Sequence, residues 1–150
     1  MRGLEKGKPV RRPFSCVYVH FVWATYDRLP LITPEVEQRL YAAIHAKCKE
    51  LKCPVRALGG IEDHVHLLVR LHPDVSQAQL ARDVKGSTSH LMTHEITPGE
   101  FFKWQGAYGA FAVEEDRLPP RIAYIRRQKE HHGDGTLDDL METIFVEGEP

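Results

Sequence analysis

The distribution of apolar residues along the chain predicts four β-strands. The first, over residues 14–25, is rich in β-branched and aromatic residues, which favour strands. The second and third, over residues 55–61 and 64–71, are separated by so short a link that we expect a hairpin. Residues 64–71 place polar and apolar side chains on opposite faces, as a strand does. A fourth strand is predicted over residues 104–113.

Apolar residues at helical spacing predict helices between and after these strands. Thr33 is typical of an N-cap and Pro34 of a first helical position, where a missing N–H costs nothing. Ser76 is predicted to cap a second helix, which Gly86 weakens locally. The predicted helices cover residues 33–51, 76–94, 119–131 and 137–144.

The resulting order, β-α-β-β-α-β followed by helices, predicts an α+β protein with a ferredoxin-like antiparallel sheet. In that arrangement two helices cover one face of the sheet. The 150 residues are predicted to form a single domain, because the chain shows no internal repeat and its length suits one core. This fold hosts many unrelated functions, so function has to be inferred from the residues of a site.

Charge is unevenly distributed, although the net charge is only −1. From Asp134 onward there are six acidic residues and neither Lys nor Arg, so the rest of the chain is net basic. We expect residues 1–13 to be a flexible basic arm and residues 134–150 to be an acidic tail without chemistry of its own. A basic body is compatible with a nucleic-acid partner, but an ordinary solvated surface explains it equally well.

The three cysteines, Cys16, Cys48 and Cys53, are odd in number and are interpreted as structural thiols in a reducing compartment. The first residues lack the apolar segment of a secretory signal. No apolar run reaches the roughly 20 residues that a membrane helix needs. These features together favour a cytoplasmic location.

His64 and His66 lie two residues apart in the third predicted strand, so their side chains share one face. Val65, Leu67 and Val69 then form the opposite, buried face. Two imidazoles side by side are half of a metal site, because neutral imidazole is the commonest metal ligand. Short H-x-H strings also arise by chance as exposed histidines, and the pair alone does not decide between the two readings.

Tyr124 and Gln128 lie four residues apart in the third predicted helix, on one helical face. A phenol can act as a nucleophile, and the carbonyl oxygen of Gln128 could be the third ligand that His64 and His66 need. Such a mixed nitrogen and oxygen site suits a divalent ion that keeps positions open for substrate oxygens. A closed structural zinc site would need four ligands, usually including cysteine.

The chain resembles the single-tyrosine HUH transposases of bacterial and archaeal insertion sequences, in which HUH stands for His, a hydrophobic residue and His. The resemblance extends from about residue 17 to residue 132. Five segments support it in the expected order: HFVWAT at 20–25, GIEDHVHLLV at 60–69, KGS at 85–87, WQGAYGAF at 104–111 and AYIRRQKEHH at 123–132.

The resemblance implies that His64, His66 and Gln128 hold Mg²⁺ or Mn²⁺ and that Tyr124, on an added C-terminal helix, is the nucleophile. The family cleaves single-stranded DNA at hairpin-bearing element ends and rejoins the strands through a 5′-phosphotyrosine intermediate. The resemblance also implies a homodimer, in which the tyrosine helix completes the site of its own subunit or of its partner.

Other polar residues are weaker candidates. Lys85, Ser87, Arg126 and Arg127 are candidate DNA-binding residues, although each also fits a solvated helix face. Asp63 is predicted to support the turn or the site without binding metal directly. The remaining histidines of the helices are expected to be surface or structural residues: His90, His94, His131 and His132.

Two further functions stay open. A domesticated relative could act on repeated extragenic palindromes with the same chemistry. A non-catalytic ferredoxin-like module could bind single-stranded nucleic acid by stacking bases on its sheet. A pure binding module, however, has no need for two histidines, a tyrosine and a glutamine at these spacings.

Overall fold

The computed structural model describes residues 7–147, so residues 1–6 of the predicted arm and 148–150 of the predicted tail lie outside the described part. One antiparallel sheet has the strand order β2-β3-β1-β4. Its strands are β1 (Val17–Ala24), β2 (Val55–Ile61), β3 (His64–Leu71) and β4 (Gly109–Val113). The second and third strands have the predicted bounds.

Helices α1 (Pro34–Glu50) and α2 (Gln77–Leu91) follow β1 and β3, which confirms the predicted β-α-β-β-α-β order and the α+β class. Two shorter helices come after β4: α3 (Leu118–Arg126) and α4 (Gln128–Asp134). Among the described residues, no helix combines the length and the apolar character needed to cross a membrane.

The two faces of the sheet are buried by different helices. Val65 and Leu67 of β3 belong to the main core, which includes apolar residues of α1 and α2. Leu68, on the other face of β3, packs in a second cluster with Ile125 of α3 and Ala57 of β2. The tyrosine helix therefore lies on the opposite face from α1 and α2.

The fourth strand and the terminal helix are both shorter than predicted, and polar side chains bind the backbone in both segments. Upstream of β4, Trp104 forms only an isolated bridge with Thr25, and the carbonyl groups of Gln105 and Ala107 accept hydrogen bonds from Lys85 Nζ at 2.6 and 3.2 Å. The predicted terminal helix is reduced to one 3₁₀ turn, Leu140–Glu142. There the Asp138 side chain caps backbone N–H groups, an alternative that competes with helix.

The predicted helix over residues 119–131 is in fact two helices, because Arg127 has non-helical angles, with φ −106° and ψ 28°. The second predicted helix also ends early, at Leu91, and continues as a wider π turn over Met92–Ile96. The break at Arg127 redirects the chain, so that α4 continues beside the sheet and adds contacts to β2.

Gly59 allows α3 to pack closely on β2. A Cβ atom at this position would lie 2.1 Å from the carbonyl oxygen of Ile125, a contact that requires the helix backbone to move. We expect Gly59→Ala to lower the free energy of unfolding by about 1–3 kcal/mol through this overpacking, measured by thermal or urea denaturation. Gly86→Ala is the control: a Cβ there meets nothing within 4 Å, and alanine favours helix. Equal stability of the two variants would contradict the close packing.

Candidate active site beside the paired histidines

His64 and His66 share one face of β3, as the strand pattern predicted, and α3 covers this face. Both are buried, with 1% and 0% of their surface exposed, which removes the alternative that they are ordinary surface histidines. Their ring centroids are 5.1 Å apart. Buried imidazoles in contact with each other need polar partners, and the surrounding residues provide them.

Asp63 orients the first of these rings. Its Oδ1 accepts a hydrogen bond from His64 Nδ1 at 2.8 Å, which turns Nε2 of His64 toward the site. Asp63 was predicted to support the turn or the site, and a carboxylate behind a histidine is a common partner of metal-binding imidazoles. Burial opposes charge on the ring, but hydrogen bonds to Asp63 and Glu142 outweigh it and raise the pKa of His64 to about 8.

Tyr124 and Gln128 face the two histidines from α3 and the start of α4. The ring of Tyr124 lies 6.0 Å from that of His66, centroid to centroid. Gln128 is 1% exposed, and its Oε1 lies 3.4 Å from His64 Nε2. The structure thus brings together, in one chain, all four residues that the sequence singled out for catalysis and metal binding.

Glu142, from the acidic tail, lies at the centre of this group, although no chemistry was predicted for the tail. Its Oε1 is 3.1 Å from His64 Nε2 and 3.0 Å from His66 Nε2. Its Oε2 accepts a hydrogen bond from the hydroxyl of Tyr124. Burial disfavours the carboxylate, but the hydrogen bonds from the histidines and the tyrosine hold the pKa of Glu142 well below its usual range.

Apolar packing anchors the tail segment that carries Glu142. Ile144 is 6% exposed and packs with Val22 and Ala24 on the sheet. The carbonyl of Thr143 approaches Gly109 so closely that a Cβ on Gly109 would lie 2.1 Å from the oxygen. The sequence contained no signal for this contact beyond the acidic composition of the tail, because the position of Glu142 depends on how the whole segment packs.

The tail also affects Tyr124 directly. The backbone N–H of Asp138 donates to the Tyr124 hydroxyl at 3.1 Å, while that hydroxyl donates to Glu142. Burial and the neighbouring carboxylate raise the pKa of Tyr124 to about 12. The phenol is therefore protonated and shielded in this arrangement.

His131 and His132 contact the site, although they were expected to be surface or structural residues. His132 Nε2 lies 3.2 Å from His64 Nε2 and 3.1 Å from Gln128 Oε1. The His131 ring stacks on Tyr124 with centroids 4.8 Å apart. The break in the helix at Arg127 is what positions them, and the sequence pattern did not indicate that break.

A third buried histidine lies behind His66. His20 of β1 is 0% exposed, and its Nε2 is 2.8 Å from His66 Nδ1. On the other side of the ring, Arg121 donates from Nη1 to His20 Nδ1 at 2.9 Å. Burial, together with its positive neighbours, lowers the pKa of His20 to about 2, so this ring is neutral.

The four candidate DNA-binding residues lie in two places. Arg126 and Arg127 are exposed at the end of α3, two and three residues after Tyr124, and Arg127 pairs with Glu130 at 2.7 Å. Lys85 and Ser87 belong to α2, on the opposite face of the sheet. Lys85 is partly buried, which lowers its pKa, and it binds backbone carbonyl groups; Ser87 Oγ donates to the carbonyl of Val84 at 3.4 Å.

The donor set fits a divalent cation. One ligand atom each from His64, His66 and Glu142 lie within 4.8 Å of one another, and the Gln128 oxygen is adjacent. Two imidazole nitrogens with oxygen donors suit ions such as Mg²⁺ or Mn²⁺, which leave coordination positions for substrate.

Comparison with known proteins identifies the class of protein as a transposase. The family model described as IS200-like transposase matches residues 14–128, which is most of the chain. This chain therefore belongs to the IS200-like transposase family, as its resemblance to single-tyrosine HUH transposases led us to expect. The matched region includes His64, His66, Tyr124 and Gln128 but ends before Glu142.

Solved structures share the fold. A candidate transposase of Deinococcus radiodurans R1 has a TM-score of 0.59 at 22% identity, over 79% of this chain and 95% of its own. A REP-associated tyrosine transposase bound to a REP hairpin has a TM-score of 0.63 at 18% identity, over 84% of this chain and 74% of its own. No curated protein matches the chain.

Proposed function

We propose that this transposase cleaves and rejoins single-stranded DNA through a phosphotyrosine intermediate on Tyr124, next to a cation held by His64, His66 and Gln128. One observation carries the proposal: a single anion, the carboxylate of Glu142, contacts the Tyr124 hydroxyl and the Nε2 atoms of both histidines. A phosphodiester is also an anion with two free oxygens. It could therefore lie between the nucleophile and the metal ligands in the same way.

The reaction has two obstacles, and the proposed cation would reduce the second. A phenol is a weak nucleophile while protonated, and the negative phosphodiester repels its attack. A Mg²⁺ or Mn²⁺ ion on His64, His66 and Gln128 would supply positive charge that stabilises the phosphate in the transition state. The Tyr124 oxygen forms a bond to phosphorus while the bond to the 3′ oxygen breaks. The phenol loses its proton, and the departing 3′ oxygen gains one.

The covalent intermediate explains why a tyrosine is used. The 5′-phosphotyrosine retains the energy of the ester bond, so the free 3′-hydroxyl of one strand can attack a second phosphotyrosine and rejoin strands without ATP. A hydrolase would lose that bond to water. Tyr124 lies beside the histidines of its own chain, so we propose that one subunit supplies a complete site within a homodimer.

We propose hairpin-bearing single strands as the substrate, with Arg126 and Arg127 binding phosphates near the cleavage point because both are exposed and follow Tyr124 by two and three residues. Lys85 and Ser87 could contact only DNA that passes over the other face of the sheet, which α1 and α2 cover. The second candidate, a domesticated enzyme acting on repeated palindromes, is favoured by the structural neighbour that was solved with a REP hairpin.

The test is incubation of the protein with end-labelled single-stranded DNA that carries a hairpin, in Mg²⁺ or Mn²⁺, followed by denaturing electrophoresis. We expect a labelled protein–DNA adduct that a chelator prevents. Binding of the hairpin without cleavage on any such substrate would instead favour a non-catalytic binding module.

Glu142 is expected to hold back cleavage, because its carboxylate occupies the position next to the Tyr124 hydroxyl that a substrate phosphate needs. Glu142→Gln replaces charge-assisted hydrogen bonds, each contributing about 1.5–3 kcal/mol, by weaker neutral ones. We therefore expect adduct formation to become about 10-fold faster under subsaturating DNA.

The matched control is Glu147→Gln, an exposed acidic residue of the same tail, which should leave the rate unchanged. Slower cleavage by Glu142→Gln would show that the carboxylate is required for the reaction and does not compete with the substrate.

A further inference from the structure

A chain of hydrogen bonds extends from the proposed metal site through the sheet to α3. His66 Nε2 lies 3.0 Å from Glu142, and His66 Nδ1 lies 2.8 Å from His20 Nε2. His20 Nδ1 lies 2.9 Å from Nη1 of Arg121. Neither His20 nor Arg121 has a part in the chemistry described above, yet His20 is fully buried and contacts a proposed ligand.

The direction of donation along these hydrogen bonds is fixed at both ends of the series. A guanidinium group can only donate, so His20 Nδ1 accepts from Arg121. A neutral His20 then carries its one proton on Nε2 and donates it to His66 Nδ1. At the other end the Glu142 carboxylate can only accept, so His66 carries its proton on Nε2. Both ends therefore require the same tautomer of His66.

His64 differs from His66 in the partner behind its ring. Asp63 accepts a hydrogen bond from His64 Nδ1, and the Glu142 carboxylate, 3.1 Å from Nε2, accepts one from the other nitrogen, so His64 carries a proton on both. Behind His66 the partner is a second imidazole, which can exchange donor and acceptor roles. Of the two proposed ligands, only His66 can therefore pass a change at Nε2 on to another ring.

We propose that His20 and Arg121 set the tautomer of His66 and thereby couple cation binding to the position of Arg121. This inference rests on the proposed metal site. When His66 Nε2 binds a cation, its ring proton must be on Nδ1 and is donated to His20 Nε2. His20 then carries its proton on Nδ1, opposite an Arg121 N–H. One proton leaves at His66 Nε2 and one is taken up at His20 Nδ1.

Two donors cannot form a hydrogen bond, so Arg121 must leave His20 when the cation binds. Arg121 precedes Tyr124 by three residues on α3, which places both on one side of the helix. The released guanidinium is then available to a substrate phosphate, the group that arginine binds most effectively. By this route His20 acts as a positioning residue, and Arg121 joins the DNA-binding surface only when the cation is present.

The direct test is an NMR measurement of which ring nitrogen carries the proton in ¹⁵N-histidine-labelled full-length protein. Without metal we expect Nε2–H on both His20 and His66, and protons on both ring nitrogens of His64. Saturation with Mg²⁺, or with Zn²⁺ as a diamagnetic ion that imidazole binds well, should move the proton to Nδ1 on His20 and His66. A His66 that already carries Nδ1–H without metal would overturn the proposal.

The two ways of failing are distinguishable. If the cation perturbs His64 and His66 while the His20 tautomer stays the same, the metal site stands and the coupling is wrong. If no cation perturbs His64 or His66 at all, the metal site itself is wrong, and the coupling fails with it.

Variants provide a second measurement that does not depend on activity. We expect His20→Phe to weaken Mn²⁺ binding about 10–100-fold, the usual effect of losing a partner behind a metal ligand. His20→Gln, whose amide can donate or accept, should restore most of that affinity. Arg121→Met should bind Mn²⁺ more tightly than the wild type, and Arg117→Met, an exposed arginine, should not. Unchanged affinity in both His20 variants would contradict the positioning role.

Discussion

Replacing Tyr124 by phenylalanine is expected to abolish the covalent protein–DNA adduct and leave binding of the hairpin substrate nearly unchanged. The substitution removes only the hydroxyl that lies next to Glu142 and keeps the aromatic ring that packs beside His66 and His131. Since no other hydroxyl group is proposed to attack the phosphate, the residual rate should fall below detection. Denaturing electrophoresis measures the adduct, and a gel-shift titration measures binding.

Tyr26→Phe is the matched control, because Tyr26 is 44% exposed and lies outside the site. It should form the adduct at the wild-type rate. An adduct that persists in Tyr124→Phe would assign the nucleophile to another residue, whereas loss of binding in that variant would show that Tyr124 serves recognition.

Loss of one of the two histidines proposed as ligands is expected to have the second largest effect. His66→Ala removes one of two buried imidazoles that face the reacting group, and removing one electrostatic stabiliser typically costs about 10²–10³-fold in rate. We expect cleavage to fall by at least that factor and Mn²⁺ binding to be lost, the latter measured by calorimetry. His45→Ala, an exposed histidine on α1, should change neither quantity.

A difference between the two readouts would be informative. If His66→Ala retained Mn²⁺ binding but lost cleavage, the histidine would act on the substrate directly. If cleavage in the wild type continued in the presence of a chelator, the reaction would not use the cation, and the ligand assignments would be wrong.

Much of this fold follows from the sequence because the patterns concerned are local. The alternation of His64 and His66 with Val65 and Leu67 predicts that the histidines share one face of β3 and that the apolar residues lie in a core on the other, and the structure agrees. Thr33 and Pro34 locate the start of α1 for the same reason. The spacing of Tyr124 and Gln128 predicts one face of a helix, and both residues reach the histidines although the helix breaks between them.

The rest of the site could not be predicted, because it depends on contacts between distant segments. Glu142 reaches the histidines only because Ile144 packs on the sheet, and no pattern within the tail encodes that docking. His20 looks like an ordinary strand residue until the pairing of β1 with β3 places it behind His66. His132 approaches His64 because the helix breaks at Arg127, where the residue types alone favour a continuous helix.

The most direct test of the proposed mechanism is to identify the residue that becomes linked to DNA and the strand end to which it is linked. The adduct formed with Mn²⁺ and a hairpin-bearing single strand is digested with protease and nuclease, and the modified peptide is sequenced by mass spectrometry. We predict a nucleotide attached through its 5′ phosphate to Tyr124, with a free 3′-hydroxyl on the other product. Attachment to a different residue, attachment through a 3′ phosphate, or cleavage without any attached nucleotide would contradict the proposed mechanism.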